Sequence, residues 1–383
     1  MSIFTSRPAL RWGVPVLVGV TVIGGGAAVR TIAAAADPSL PPRTAAQLLV
    51  DLQTARLDAG SGTVVQSSDL GLPQLPVGGQ GSSNLNSLIT GAHTLRVWFA
   101  GPDHARVALM GTLGESDIVT NGHDVWVWDS QKNEATHSTL SKDATSRPPL
   151  DPNAMPKTPQ EAANLALAAI DPSTEVTTSG SAKVAGRAAY ELTLKPKDKA
   201  SLLGQITLAI DAEKHVPLRV QVYPAGSDKT AFEAAFTQVS FARPDAAQFT
   251  FTPPKGAKIT EGGTQGGTED GTKGGTKGGT SVAPKEPAGS AQRAGMPEPV
   301  AIGTGWTTVL VARAPSDASS EPGALSPQMF PSVSGAWGSG HLVTSRLFSV
   351  LFTDDGRVLA GAVRPDRLYQ AATDPAAVAL KAK

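Results

Sequence analysis

The sequence contains no cysteine, few aromatic residues and no excess of charge of either sign. Without cysteine, it has no disulfides, thiolate zinc sites, iron–sulfur clusters, cysteine nucleophiles or lipid-modified N-terminal cysteine. The 33 Lys and Arg residues balance the 33 Asp and Glu residues. This argues against a nucleic-acid-binding protein, because such a protein needs a basic surface to displace counterions from phosphates. Glycine (40 residues) and proline (30 residues) are abundant instead, which favours many short strands joined by turns.

The N-terminus has the order of a secretory signal. Arg7 and Arg11 precede an uncharged segment at residues 12–29, and the small residues Ala33–Ala36 follow it. A positive region, an apolar region and a small-residue cleavage site predict export, with cleavage after residue 36. An uncleaved membrane anchor through residues 12–29 is the open alternative, because that segment is close to the minimum length of a spanning helix. Both interpretations place the rest of the chain outside the cytoplasm, secreted or in the cell envelope.

Short strands are predicted for most of the chain. A helix is expected over Thr44–Leu57, with Thr44 as its N-cap. In the meander that follows, Asn121-Gly122 indicates a hairpin, as the two central residues of a type I′ turn. Val125–Trp128 is the second strand of this hairpin. It is apolar on both faces, which indicates an interior strand. A second helix is expected over 158–170, and further strands follow it. The pattern predicts a mainly β (α+β) protein with an antiparallel sheet.

A glycine-rich repeat divides the chain. Residues 261–280 contain nine Gly and five Thr with a four-residue period, which predicts a flexible linker. We expect cleavage at Lys273 or Lys277 to separate the parts on either side. The predicted parts are a signal peptide or anchor at 1–36, a main domain at 37–255, a linker at 256–297 and a small C-terminal α+β module at 298–383.

No catalytic or cofactor-binding motif is found in the sequence. It has no H-E-x-x-H, no G-x-S-x-G and no phosphate-binding glycine loop. The six histidines are scattered, without a second ligand at metal-binding spacing. The sequence therefore predicts neither an enzyme nor a bound cofactor or metal.

The apolar residues of the meander are the candidate site. Trp126 and Trp128 lie two apart on one strand, so they share a face. Two interpretations remain open for such residues, namely an ordinary core and the wall of an apolar ligand cavity. The candidate cavity residues are Leu95, Val97, Trp98, Phe99, Val107, Leu109, Val125, Trp126, Val127 and Trp128, and Ile118 is equally eligible. The sequence does not indicate which face would line the cavity.

Three stretches between Lys183 and Ile259 carry a specific pattern of strands and turns. They are VAGRAAYELTLKPKD, then ITLAIDAEKHVPLRVQVY with an acidic turn between two strands, and finally FEAAFTQVSFARPDAAQFTFTPPKGAKI. With these stretches the chain resembles the LolA-like lipoprotein-carrier superfamily, of the actinobacterial type and including the RseB-like regulators of envelope stress. In this resemblance, the residues that fall as in the family's closing strand are Phe249, Phe251, Pro253, Pro254 and Gly256.

The resemblance implies a strongly curved half-barrel sheet with an apolar concave face covered by helices. It further implies a non-enzymatic carrier or envelope sensor that holds the acyl chains of lipids or lipoproteins, with an envelope membrane protein as a further partner. The C-terminal module after a linker matches the RseB-like two-domain layout. The alternative is a structural or regulatory interaction protein with a filled core, acting as RseB-like proteins do on sigma-factor and anti-sigma-factor pairs.

Overall fold

Two β-sheets make up most of the structure, a computed structural model that describes residues 40–72, 85–112, 114–140, 172–262, 299–313 and 329–380. Twelve strands form the first sheet and six form the second. The prediction of a mainly β protein is therefore confirmed. The predicted signal or anchor, the helix over 158–170 and nearly all of the glycine-rich repeat lie outside the described residues.

The first sheet contains strands from residue 59 to residue 261. Its strands are β1 Ala59–Ser68, β2 Gly91–Ala100, β3 His104–Met110, β4 Glu115–Asn121, β5 Asp124–Asp129, β6 Glu134–Thr139, β7 Thr174–Val184, β8 Arg187–Pro196, β9 Leu203–Asp211, β10 Pro217–Pro224, β11 Phe232–Ser240 and β12 Lys258–Glu261. The order across the sheet is β12-β6-β5-β4-β3-β2-β1-β11-β10-β9-β8-β7. Strand β5 is interior, as its two apolar faces predicted.

The last strand of this sheet was not expected. Strand β12 pairs with β6 in parallel, with Lys258 beside Glu134 and Glu261 beside His137. The sheet is thus mixed, which corrects the prediction of a purely antiparallel one. A parallel addition needs a crossover connection, and the chain between β11 and β12 has to pass six strands of the sheet to reach its far edge. This crossing decides which face of strands β1–β6 is covered.

The hairpin turn between β4 and β5 also differs from its prediction. Asn121 pairs with Asp124, so the two loop residues are Gly122 and His123. Of the two, only Gly122 has a positive φ, of 66°. Glycine at the first central position with an ordinary second residue is the type II′ pattern, one residue further along than the predicted type I′ turn.

Helix α1, Ala45–Thr54, packs on the first sheet. Thr44 and Gln47 form a capping box, as the sequence suggested for Thr44, and Leu48 and Leu49 are buried. The helix ends three residues before the predicted Leu57, because Ala55 already has an extended ψ of 129°. Its two leucines join a core formed with Val64, Tyr190, Leu192, Ile206, Leu208, Ile210, Val222, Phe232 and Ala234.

A buried ion pair fixes the β9–β10 turn. Asp211 is fully buried and receives two hydrogen bonds from the Arg187 guanidinium, one of them 3.0 Å from Nη2 to Oδ1. The backbone N–H groups of Glu213 and Lys214 also donate to Asp211. Burial alone would raise the pKa of Asp211, but these four hydrogen bonds outweigh it and hold the pKa below its usual value.

The second sheet belongs to the C-terminal part of the chain. Its strands are β13 Val300–Ile302, β14 Val309–Arg313, β15 Ser332–Gly335, β16 Gly338–Thr344, β17 Ser349–Thr353 and β18 Arg357–Gly361, in the order β13-β14-β18-β17-β16-β15. Helices α2 (Pro365–Ala372) and α3 (Pro375–Val378) cover one face. The fully buried Arg357 joins sheet to helix, since it binds Asp355 through two nitrogens and donates to the Ala372 carbonyl at 2.7 Å.

The two sheets are in direct contact. The Leu202 N–H donates to the Ala362 carbonyl at 2.8 Å, and Trp306 Nε1 donates to Thr174 Oγ1 at 2.7 Å. Trp306 also packs against the core of the first sheet. The C-terminal sheet is therefore held by specific contacts as well as by the chain.

Candidate functional site

Strands β2–β5 bring the predicted residues onto two opposite faces. Val97 pairs with Val107, Val107 with Ile118, and Ile118 with Val127. Directly paired residues share a face, and alternate residues on a strand return to it. One face of β2–β5, named here the aliphatic face, thus carries Leu95, Val97, Phe99, Val107, Leu109, Ile118, Val125 and Val127.

Trp98, Trp126 and Trp128 lie on the opposite face, named here the aromatic face. The chain that crosses from β11 to β12 covers them. Phe251 of this crossing packs on Trp126 and Trp128, with ring centroids 5.4 and 5.9 Å apart. Trp128 is only 7% exposed. Phe249, which is also buried, packs on the same face beside Trp98. Trp128 and Phe249 are buried on the aromatic face, whereas Trp98 and Trp126 are partly exposed there.

The ten candidate residues are therefore divided seven to three. The seven aliphatic-face members and Ile118 lie together, whereas the three tryptophans point away from them through the sheet. Because a single cavity lies on one face, it cannot be lined by all ten residues. Trp126 and Trp128 share a face, as predicted.

The aliphatic face is only partly enclosed. Leu95 and Leu109 are fully buried, while Val97, Phe99, Val107, Ile118, Val125 and Val127 are partly exposed. The face continues onto β1 over two glycines. A Cβ added at Gly60 would lie 2.8 Å from Phe99 Cζ, and one at Gly62 would lie 2.6 Å from Phe236 Cε1. The Phe99 and Phe236 rings can lie over β1 only because Gly60 and Gly62 have no side chain.

Arg96, Arg106, Glu115 and Asp117 lie on the aromatic side of this region. The guanidinium groups of Arg96 and Arg106 lie 5.2 and 5.4 Å from the Trp98 ring. Arg106 Nε also donates to Asp117 Oδ1 at 2.8 Å, and Asp117 is buried. Burial, with the nearby Asp117 charge, raises the pKa of Glu115. These contacts hold Trp98 in place.

His137 joins strand β12 to the sheet. Its ring stacks on Trp126 with centroids 4.4 Å apart. Its Nε2 lies 3.0 Å from Asp124 Oδ1, and its Nδ1 lies 2.9 Å from Glu261 Oε2 on β12. The hydrogen bonds to Asp124 and then Glu261 raise the pKa of His137. Protonated His137 thus bridges two carboxylates across the sheet edge.

A polar cluster on the aliphatic side was not predicted. Gln66 on β1 pairs with His93 on β2, two residues beyond the pair Val64 and Leu95. Gln66 is fully buried, and among the described residues neither its Oε1 nor its Nε2 has a hydrogen-bond partner. His93 is also buried, with its Nε2 3.1 Å from Ser87 Oγ. The signal in the sequence was the strand alternation, which places both polar residues in register with buried leucine and valine.

Neither a metal site nor a membrane span is found in the part of the chain that the structure describes. No group of three or more His, Asp or Glu residues in those ranges is placed to hold a metal ion. No helix within them has the length and apolar character needed to cross a bilayer.

Comparisons with known proteins give structural similarity only. No protein-family model matches the sequence, and no curated protein matches it. A structure of the Pseudomonas aeruginosa MucA/MucB complex matches with 14% identity over 86% of this chain and 96% of that chain, with a TM-score of 0.40. A LolA-superfamily protein from Nitrosomonas europaea matches with 13% identity over 55% and 99%, at 0.22. A putative outer-membrane lipoprotein-sorting domain from Vibrio parahaemolyticus matches with 9% identity over 53% and 95%, also at 0.22. The chain is thus structurally similar to MucB and to LolA-superfamily proteins at low identity.

Proposed function

We propose that this protein is an exported, non-enzymatic carrier or sensor that holds the acyl chains of lipids or lipoproteins on its aliphatic face. The sheet would curve around the ligand as a half-barrel. One observation carries the proposal: Val97, Val107, Ile118 and Val127 form an unbroken row across four strands, and none of them is fully buried. A row of this kind offers an apolar ligand a continuous surface.

The size of the row suits a hydrocarbon chain. Three spacings between neighbouring strands, at about 4.8 Å each, give roughly 14 Å. A chain that buries on the order of ten methylenes at about 0.8 kcal/mol each gains about 8 kcal/mol, which corresponds to a dissociation constant near 1 µM. This is an upper limit on affinity, since ordering the ligand opposes it.

The location belongs to the same proposal. Residues 1–36 have the order of an export signal, and 12–29 would anchor the chain if they are not removed. The partners that follow are lipid or lipoprotein acyl chains and an envelope membrane protein that supplies or receives them. A nucleic-acid partner does not fit the balanced charge.

The test is lipid analysis of the protein purified from the exported fraction, together with displacement of a fluorescent fatty acid. We expect co-purified acyl species in stoichiometric amount. Ile118→Asp should weaken binding at least tenfold, because it places a charge in the apolar row. The matched control is Leu310→Asp, at a 55% exposed residue of the second sheet, which should bind as the wild type does. A wild type with no acyl species and no displacement would refute the proposal.

One observation favours the interaction-protein alternative. Leu310 on β14 and Met329 are both more than half exposed, and large exposed apolar side chains are common where a protein partner binds. In this second proposal the C-terminal sheet binds a protein and the aliphatic face is filled. Leu310→Asp would then abolish the protein interaction, and Ile118→Asp would only destabilise the fold.

A further inference from the structure

We infer that Gln66, with His93 and Ser87, binds an uncharged carbonyl of the ligand, so that the protein selects esterified or amide-linked acyl chains over free fatty acids. This inference rests on the proposed function and names its substrate class. The three residues are called here the buried polar cluster.

The buried polar cluster lies at one end of the aliphatic face. Along β1, Gln66 follows Val64 on the same face and is four residues from Gly62, which pairs with Val97. Four residues of strand correspond to about 13 Å. A ligand whose acyl chain turns at Val97 from the row across the strands into the strand direction would bring its polar end to Gln66, passing over the buried Val64 and Leu95.

Gln66 is the member of the cluster whose side chain has no hydrogen-bond partner among the described residues. Its amide is completely buried, and among the described residues no group accepts from Nε2 or donates to Oε1. Buried polar side chains are nearly always hydrogen-bonded, since an unpaired one destabilises the fold. A leucine at this position would fit the neighbouring Val64, Leu95 and Ala234 without that loss. A glutamine there is explained by a hydrogen bond made to a group that the described residues do not supply.

The chemistry of the cluster indicates a neutral group. Gln66 and Ser87 carry no charge, and burial lowers the pKa of His93 despite an opposing hydrogen bond to the Ser87 backbone. Burial therefore favours the uncharged form of His93. A carboxylate moved into such a site would lack a counter-charge, which is far more costly than burying an ester. An ester or amide carbonyl can accept a hydrogen bond from Gln66 Nε2, and the N–H of an amide can in addition donate to Oε1.

The experiment measures the affinity of the exported protein for palmitic acid, methyl palmitate and hexadecane by displacement of a fluorescent probe. The wild type should prefer methyl palmitate. Gln66→Leu should lose about tenfold in methyl palmitate affinity, as expected for one hydrogen bond, and keep its hexadecane affinity. The ligand-free Gln66→Leu protein should also melt at a higher temperature than the wild type. A purely structural glutamine would give the opposite change in melting temperature and no change in selectivity.

The matched control is Val97→Ala, on the same face but without a polar group. It should weaken binding of all three probes by a similar factor. Dipalmitoylglycerol and an N-palmitoyl peptide then distinguish the two sources of such a carbonyl, since the preferred one identifies a glycerolipid or a lipoprotein as ligand.

Two results would overturn the inference, and they differ. If the wild type binds all three probes and Gln66→Leu keeps the wild-type order of preference, the carbonyl site is wrong while the proposed function stands. If the wild type binds none of them, the proposed function fails and the inference fails with it.

Discussion

The two faces of strand β5 can be separated by substituting adjacent residues. Trp128 is 7% exposed and contacts Phe251 at 5.9 Å on the aromatic face. Replacing a buried Trp by Ala costs about 3–5 kcal/mol, and Leu retains roughly half of the side chain, so Trp128→Leu should cost about 2 kcal/mol. In a domain of this size each kcal/mol lowers the melting temperature by about 2–4 °C, which predicts a fall of roughly 4–8 °C. Acyl affinity should not change.

Val127→Ala is the matched change on the aliphatic face. Val127 is partly exposed, so its loss should cost less than about 1 kcal/mol of stability. It removes two methyl groups from the proposed ligand surface, at about 0.8 kcal/mol each, and should weaken acyl binding by about tenfold. Trp128→Leu should therefore lower stability without changing acyl affinity, whereas Val127→Ala should weaken acyl binding with little loss of stability.

The assays are differential scanning calorimetry of the ligand-free protein and titration with a fluorescent fatty acid. If Trp128→Leu weakened acyl binding and left the melting temperature unchanged, the ligand would lie on the aromatic face. If Val127→Ala left binding unchanged in a protein that does bind acyl chains, the aliphatic row would not be the ligand surface. Either result would refute the assignment of the faces.

Three further predictions concern the ion pairs and the contact between the sheets. Asp211→Asn should cost about 2–4 kcal/mol, because it leaves the Arg187 charge without its buried partner. Since the folded state lowers the pKa of Asp211, this stabilisation is present above the unfolded value near 3.9 and is lost as pH falls through the folded value. Urea unfolding between pH 2 and pH 7 should show that loss in the wild type and not in the variant. The folded state raises the pKa of His137, so its stabilisation is complete below about pH 6.5 and is lost as pH rises through the folded value. An NMR titration of His137 should therefore have a midpoint above 6.5. The variant Glu261→Gln should lower this midpoint, and an unchanged midpoint would contradict the bridge. After cleavage at Lys273, the two fragments should elute together from a sizing column, because the sheets are hydrogen-bonded to each other; separate elution would support the independence expected from the sequence.

Local patterns predicted the elements well. The N-cap at Thr44 and the interior position of β5 depend on neighbouring residues, and the structure confirms both of them. The II′ turn shows the limit of such patterns. Asn-Gly suits both central positions of a type I′ turn, but the register that pairs Asn121 with Asp124 requires Gly122 in the first of them.

Long-range features could not be predicted in the same way. Strand β12 has four residues, all exposed, and nothing in so short a segment indicates that it pairs with β6, more than a hundred residues earlier. The division of the ten candidate residues over two faces depends on the crossing that this pairing requires. Gln66 could be placed in register with buried residues, but its lack of a hydrogen-bond partner among the described residues depends on what surrounds it in three dimensions.

The crossing explains how one strand can be apolar on both sides while the chain between β11 and β12 covers only one of them. In β5, valine and tryptophan alternate, so both faces of the strand require apolar contacts. The chain between β11 and β12 supplies Phe249 and Phe251 to the tryptophan side, and β12 holds this covering in place through His137. The valine side receives no counterpart from that crossing. A register slip of one residue in the β4–β5 hairpin would exchange the two faces and put tryptophan in the aliphatic row. The turn at Gly122 therefore determines which side chains a ligand on this sheet would meet.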